Sequence, residues 1–163
     1  AWQRYLGSVP GCDEGWGLYA ESLADELGLM PTPEDRFGRL AARRWRLARV
    51  LVDLGVHSRL PVPDDVAALP GACREWNRAT VTAVLRHHTV ISEGRLRFEV
   101  SRHLGWPAQP LAYAVGERVW QAGRRSAQAQ ARTEGGELDL RAFHNRGIDL
   151  GSVGLDLLAS ALH

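Results

Sequence analysis

Apolar residues recur every three or four positions along most of this chain, which is the spacing of an amphipathic α-helix. In the stretch 14–28 one stripe is apolar and comprises Trp16, Ala20, Leu23 and Leu27. A second stripe carries the acids and comprises Glu14, Leu18, Glu21 and Asp25. Asp13 can cap the start of this helix, and Gly28 suits the left-handed position after its end.

The same spacing predicts further helices over residues 33–54, 64–69, 72–88, 95–104, 109–132, after the capping residue Asp139, and over 155–162. Thr32 and Asp35 make a capping box, and Gly55 is expected to end the second helix. The stretch 72–88 would also suit a strand, but no second β-rich segment exists to pair with it. The pattern therefore predicts an all-α protein.

Two of these helices come with predicted core faces. The helix 33–54 is expected to bury Phe37, Leu40, Ala41, Ala48, Leu51 and Val52. Its arginines at positions 39, 43, 46 and 49 follow one side, which is typical of a solvated face. In the helix 109–132 the expected core stripe is Leu111, Val115 and Val119.

Composition narrows the class of protein. The 163 residues suffice for a single all-α domain, 1–163, and 45% hydrophobic with 24% charged residues is ordinary for a globular protein. A net charge of +1 gives no sign of nucleic-acid or membrane binding. All 20 basic residues are arginine, which is typical of a GC-rich genome and suggests an actinobacterial source.

Cysteine usage and hydropathy favour a cytoplasmic protein. Cys12 and Cys73 are widely spaced and are expected to be free, buried thiols. No apolar run approaches the ~18 residues that a membrane span needs. The first residues show no pattern typical of a signal peptide.

Glu14 is the first candidate for chemistry, because Gly15 and Gly17 flank it inside a helix. Glycine costs about 1 kcal/mol relative to alanine there, so we expect another group to approach the backbone closely. Alternatively, Glu14 merely complements the helix N-terminus. Histidines give no chelating pair one turn apart, and the adjacent His87 and His88 suit a solvated helix end.

Five segments resemble, in order and spacing, the C-terminal part of a large bacterial domain-of-unknown-function family related to HExxH-plus-glutamate zinc carboxypeptidases. They are 14–21, 46–57, 98–102, 106–116 and 138–144. The resemblance implies an antiparallel helical array that forms half of a larger metallopeptidase-like cleft. It also implies that Glu14 is the third zinc ligand, with the other two coming from an HExxH helix that this chain lacks.

The resemblance implies further site residues. His57 and Tyr113 would line the cleft opposite the metal and stabilise an oxyanion, while Arg102 and Arg141 would hold a substrate carboxylate. Glu21 and His144 would complete the substrate-binding side. Without the resemblance, His57 would cap carbonyls, Tyr113 would be a core residue, and His144 would order the last helices.

Three motifs depart from the family pattern. The usual Arg-Tyr is Arg102-His103 here, the usual Pro-Gly-Gln is Pro107-Ala108-Gln109, and the usual Phe-His-Asp is Phe143-His144-Asn145. These changes surround the implied cleft, so they weaken the expectation of a peptidase reaction more than that of the fold.

The sequence thus predicts the small subunit of a heteromeric enzyme that acts on a small amino-acid or peptide-like substrate. Its partner would be a second chain resembling the N-terminal half of the family, joined through more than about 2,000 Å². Zinc would be a cofactor only if that partner supplies HExxH. Two alternatives remain: a metal-independent subunit that closes aziridine or azabicyclic rings in secondary metabolism, and a non-catalytic scaffold subunit.

Overall fold

A computed structural model describes residues 7–162, and this part of the chain is helical with no strand, which confirms the all-α prediction. The helices are α1 (Pro10–Glu26), α2 (Pro33–His57), α3 (Asp64–Ala67), α4 (Arg78–His88), α5 (Glu93–Gly105), α6 (Leu111–Thr133), α7 (Leu140–Ile148) and α8 (Leu155–Leu162). None of the described helices is long and apolar enough to cross a membrane. The chain divides into two compact units.

Unit 1 contains residues 7–27 and 112–162, and thus α1, α7, α8 and nearly all of α6. Its core combines aromatic and aliphatic side chains and comprises Cys12, Tyr19, Trp120, Ala127, Phe143, Leu158 and Leu162. Gly147 makes room for the Trp120 ring, and Gly123 for the Leu162 side chain. Small residues on α6 and α7 therefore permit the close packing of the large ones.

Unit 2 contains residues 28–111, and α4 packs in it against α2, α3 and α5. Its core is aliphatic and comprises Ala48, Val52, Val62, Val66, Val81, Val84, Leu85, Leu96 and Val100. Gly55 lies inside α2, where the Trp76 ring occupies the space that a side chain would need. Gly55 therefore serves helix packing. The prediction that it ends the helix is wrong, because the helix continues to His57.

Local signals placed several helix ends correctly. The Thr32–Asp35 capping box is present, with the Asp35 amide donating to Thr32 Oγ1 at 3.1 Å, and Gly28 has φ 72°. The helix predicted to begin at Ala72 begins only at Arg78, because Asn77 Oδ1 accepts from the amides of Ala79 and Thr80 and caps it there. The first helix begins earlier than predicted, at Pro10.

Burial differs from the prediction on several helices. In α2, Ala48 and Val52 are buried as expected, but Phe37, Leu40 and Ala41 are exposed. In α6 the buried face carries Gly116, Glu117, Trp120, Gly123 and Ala127, while Val115 is 47% exposed. In α1, Leu18 is buried and Leu27 is exposed, so the acid-bearing stripe faces inward in part. Both cysteines are free, Cys12 buried as predicted and Cys73 exposed instead.

Candidate functional site

Three polar residues on α2 share one face in unit 2, because Arg49, Asp53 and His57 are spaced four residues apart. Arg49 and Asp53 are 7% and 2% exposed, so this face is turned inward although it is charged. Buried charges are tolerated when they are paired and hydrogen-bonded. The partners come from α5 and from the turn that follows it.

Helix α5 brings a carboxylate and an imidazole to the same place. Glu99 is fully buried, and its Oε1 accepts from Arg95 Nε at 2.9 Å, while its Oε2 lies 3.7 Å from Arg102 Nη1. One turn later, His103 Nε2 lies 3.3 Å from Glu99 Oε2 and 3.1 Å from Arg49 Nε. We call Arg49, Glu99, Arg102 and His103 the Glu99 cluster.

The proton on His103 is placed by its neighbours. Burial lowers the pKa of His103 to about 4, helped by the charges of Arg49 and Arg102 and opposed by Glu99. Because Arg49 Nε–H donates to His103 Nε2, that nitrogen accepts and the proton is carried on Nδ1. Glu99 Oε2 then faces a lone pair and has no hydrogen-bond partner among residues 7–162. The ring is therefore neutral at pH 7.

The turn after α5 closes this cluster. Gln109 Oε1 accepts from Arg49 Nη2 at 3.0 Å and from Arg102 Nη2 at 3.3 Å. The Ala108 amide donates to both Asp53 oxygens at 3.0 Å. Ala108 has φ 67°, a left-handed conformation that glycine adopts without cost. Ala108 is therefore held in a strained backbone, which the buried Asp53 carboxylate stabilises.

The two predicted site residues of unit 2 lie at the edge of the cluster. His57 Nε2 donates to the carbonyl of His103 at 2.8 Å and lies 3.9 Å from Asp53 Oδ1, so one of its nitrogens caps α5. Arg102 is 23% exposed and lies over the Trp106 ring at 5.3 Å. Its planar guanidinium is thus held by stacking and remains partly exposed. The predicted roles of both residues stay predictions.

In unit 1, helices α1 and α6 cross at two glycines. A side chain at Gly15 would overlap the backbone of Gly116, and one at Gly116 would overlap the carbonyl of Gly11. The expectation of a close approach beside Glu14 is confirmed at Gly15, whereas nothing lies near Gly17. Glu14 directly precedes the crossing and Tyr113 lies in the first turn of α6, three residues before Gly116. Both are half-buried.

A second polar cluster in unit 1 connects three helices. Tyr19 Oη lies 2.9 Å from His144 Nε2 and accepts from Arg124 Nη1 at 3.4 Å, and Arg124 forms a two-point ion pair with Glu26. Burial raises the pKa of Tyr19 and lowers that of His144, so both are neutral at pH 7. The side-chain bond to Glu26 raises the pKa of Arg124. We call these four residues the Tyr19 cluster.

The remaining predicted residues lie on the helices of unit 1. Glu21 is half-buried on α1, two turns after Glu14, and Arg141 is exposed on α7. No group of three or more histidines, cysteines or acids within residues 7–162 is placed to hold a metal. Glu14 could therefore hold zinc only beside ligands from outside residues 7–162.

Several residues of the two clusters escaped the sequence prediction. Glu99 and His103 stand four apart on a predicted helix, which was a usable signal for a shared face. Arg49 was assigned to a solvated face, but its side chain is buried against His103. Tyr19, Glu26 and Arg124 gave no local signal, because the Tyr19–His144 contact joins residues 125 positions apart.

Comparison with known proteins agrees with this architecture. A family described as "Bacterial protein of unknown function (DUF885)" matches residues 1–162. The crystal structure of a candidate lipoprotein from Colwellia psychrerythraea is similar at a TM-score of 0.77 and 28% identity, over 94% of this chain and 23% of that one. This chain thus spans about a quarter of that protein's length. Among curated proteins none matches it.

Proposed function

We propose that this chain, which belongs to the DUF885 family of bacterial proteins, is the small subunit of a two-chain enzyme. In this proposal it completes a shared active-site cleft with a partner that resembles the N-terminal part of the family. The observation that carries the proposal is the match of 94% of this chain to only 23% of a longer relative. About three quarters of that relative's length has no counterpart here.

In the shared cleft we assign binding and proton transfer to the residues that the resemblance implies. Glu14 acts as a metal ligand or a general base, and Tyr113 and His57 donate hydrogen bonds to a developing oxyanion. Arg102, held over Trp106, binds the carboxylate of a small amino-acid or peptide-like substrate, with Arg141, Glu21 and His144 on the substrate-binding side. The half-buried state of Glu14 and Tyr113 beside the glycine crossing supports their assignment.

Whether the assembled enzyme binds a metal depends on the partner chain. If the partner supplies HExxH, Glu14 would be the third zinc ligand, and the metal would supply an activated water for hydrolysis. If the partner lacks that motif, Glu14 acts as a metal-free base, as a ring-forming enzyme would require. The proposal places both chains in the cytoplasm and the reaction in actinobacterial secondary metabolism.

Site variants of the co-expressed pair test the proposal in an assay on peptide-like substrates. Glu14→Gln and Tyr113→Phe are each expected to lower kcat by about 100-fold or more, while Glu93→Gln, an exposed carboxamide change, leaves it unaltered. Activity that EDTA removes and zinc restores supports the ligand role of Glu14. Activity that ignores EDTA but is lost in Glu14→Gln supports the base. Full activity in both variants would leave only a scaffold role.

A further inference from the structure

The first half of α2 is a helix without a core of its own. The buried residues of α2 all lie between Ala48 and Gly55, and none of the residues 33–47 is buried. Helices this short are marginal in water, and packing of an apolar face supplies most of their stability in proteins. The Thr32–Asp35 capping box nevertheless starts the helix here. The segment 33–47 is therefore encoded as a helix that contains half-buried residues such as Trp45 but no fully buried one.

This segment does carry an apolar face. Phe37, Leu40 and Leu47 are three and seven residues apart, which places them on one side of the helix. They are 73%, 55% and 44% exposed. We call these three residues the α2 stripe. A groove of about 390 Å³ continues it, between Leu47, Leu51 and His88. Clustered exposure of large apolar side chains marks an interaction surface, whereas single exposed ones do not.

We propose that the α2 stripe is the docking surface for the partner chain that completes the family fold. This inference rests on the proposed two-chain enzyme and names the surface through which its chains join. The partner contributes the apolar face of a helix. A helix that lies along a groove is recognised through side chains spaced three, four and seven residues apart. A carboxylate on this face would lie beside Arg44, which lines the groove and donates to His88 Nδ1.

A second copy of this chain fits the α2 stripe less well than the partner. Two copies packed stripe to stripe would bring their Arg44 side chains together, and like charges at an interface oppose association. The stripe is also too small for a stable dimer, which buries at least about 1,200 Å². A partner supplying most of the remaining family fold has the length to cover the stripe and more, since this chain matches 23% of its relative.

The test is the apparent Kd of the co-purified pair, measured by dilution. Phe37→Glu combined with Leu40→Glu is expected to weaken the complex by about 30-fold or more. Leu157→Glu is the matched control, a change at a leucine on α8 that is 60% exposed, and is expected to alter the Kd by about twofold or less. Amide hydrogen exchange provides a second readout: amides of residues 33–47 should exchange slowly in the complex and fast in the released chain.

Every other outcome overturns the inference, and each one shows which part of it is wrong. If the double variant binds like the wild type, or if Leu157→Glu weakens binding equally, the partner docks elsewhere and the two-chain enzyme still stands. If the wild-type chain does not bind the partner at all, the proposed function fails and the docking surface with it. If the chain forms a dimer that Phe37→Glu with Leu40→Glu dissociates, the occupant is a second copy.

Discussion

The two polar clusters differ in where they keep their charge. In the Glu99 cluster the charges are inside: Glu99 is fully buried, and neutral His103 is 1% exposed beside it. In the Tyr19 cluster only the neutral Tyr19 is buried, Arg124 is 17% exposed, and the Glu26 carboxylate that pairs with it is 51% exposed. Burial makes a lost charge partner expensive, whereas solvent replaces a lost surface partner. Unit 2 should therefore tolerate polar substitution less than unit 1.

Removing the charge of Glu99 should have the largest effect. Glu99→Gln leaves Arg102 and Arg95 without their carboxylate, and we expect a loss of about 2–3 kcal/mol in the free energy of unfolding, since Arg95 is half exposed and keeps part of its hydration. Urea denaturation measures it. The control on the same helix is Glu93→Gln, which removes the exposed pair with Arg86 and should cost less than about 0.5 kcal/mol. Equal costs would show that burial does not separate the two carboxylates.

Acid should lower the free energy of unfolding through the protonation of His103. Its pKa is 6.5 when unfolded and about 4 when folded, so between these values the unfolded chain binds more protons than the folded one. Stability from the neutral ring is complete above pH 6.5 and is lost as the pH falls toward 4. The slope of unfolding free energy against pH in this window should flatten in His103→Gln and stay unchanged in His87→Gln. An unaltered slope in His103→Gln would contradict the neutral, buried ring.

The hydroxyl of Tyr19 should matter less than Glu99. Tyr19→Phe keeps the ring and its stacking on Trp120 but removes the contacts with His144 and Arg124. We expect a loss of about 1 kcal/mol in the free energy of unfolding, the usual value for the bond to neutral His144, since the 3.4 Å bond from Arg124 is long and Arg124 keeps its pair with Glu26. Thermal denaturation of the variant measures it. A loss as large as that in Glu99→Gln would erase the difference between the clusters.

The smallest expected effect is an increase in the free energy of unfolding. Ala108→Gly should stabilise the protein by about 0.5–1 kcal/mol, because glycine adopts the φ of 67° without strain. The same substitution inside an exposed helix, Ala122→Gly on α6, should destabilise by about 1 kcal/mol. Opposite signs in chemical denaturation confirm the strain at Ala108. A loss of stability in both variants would contradict it.

The sequence predicted what depends on near neighbours. The Thr32–Asp35 capping box and the left-handed Gly28 follow from residues within one turn, and both are present. Burial of Phe37 was predicted wrongly, because helical spacing shows that a face is apolar without showing what covers it. The sequence prediction also missed that Arg49 and Asp53 face inward, because a charged face gives no sign of what covers it. Charged residues are rarely buried, and tertiary contacts such as those with His103 and Ala108 explain these two.

The central claim is that this chain works as one subunit of a two-chain enzyme, and native mass spectrometry tests it most directly. The chain would be co-expressed with the chain that resembles the N-terminal part of the family, and the pair purified through a tag on that partner. The account predicts one intact complex containing one copy of each chain. This chain recovered only as a free, cooperatively melting monomer, with the partner present and folded, would contradict it.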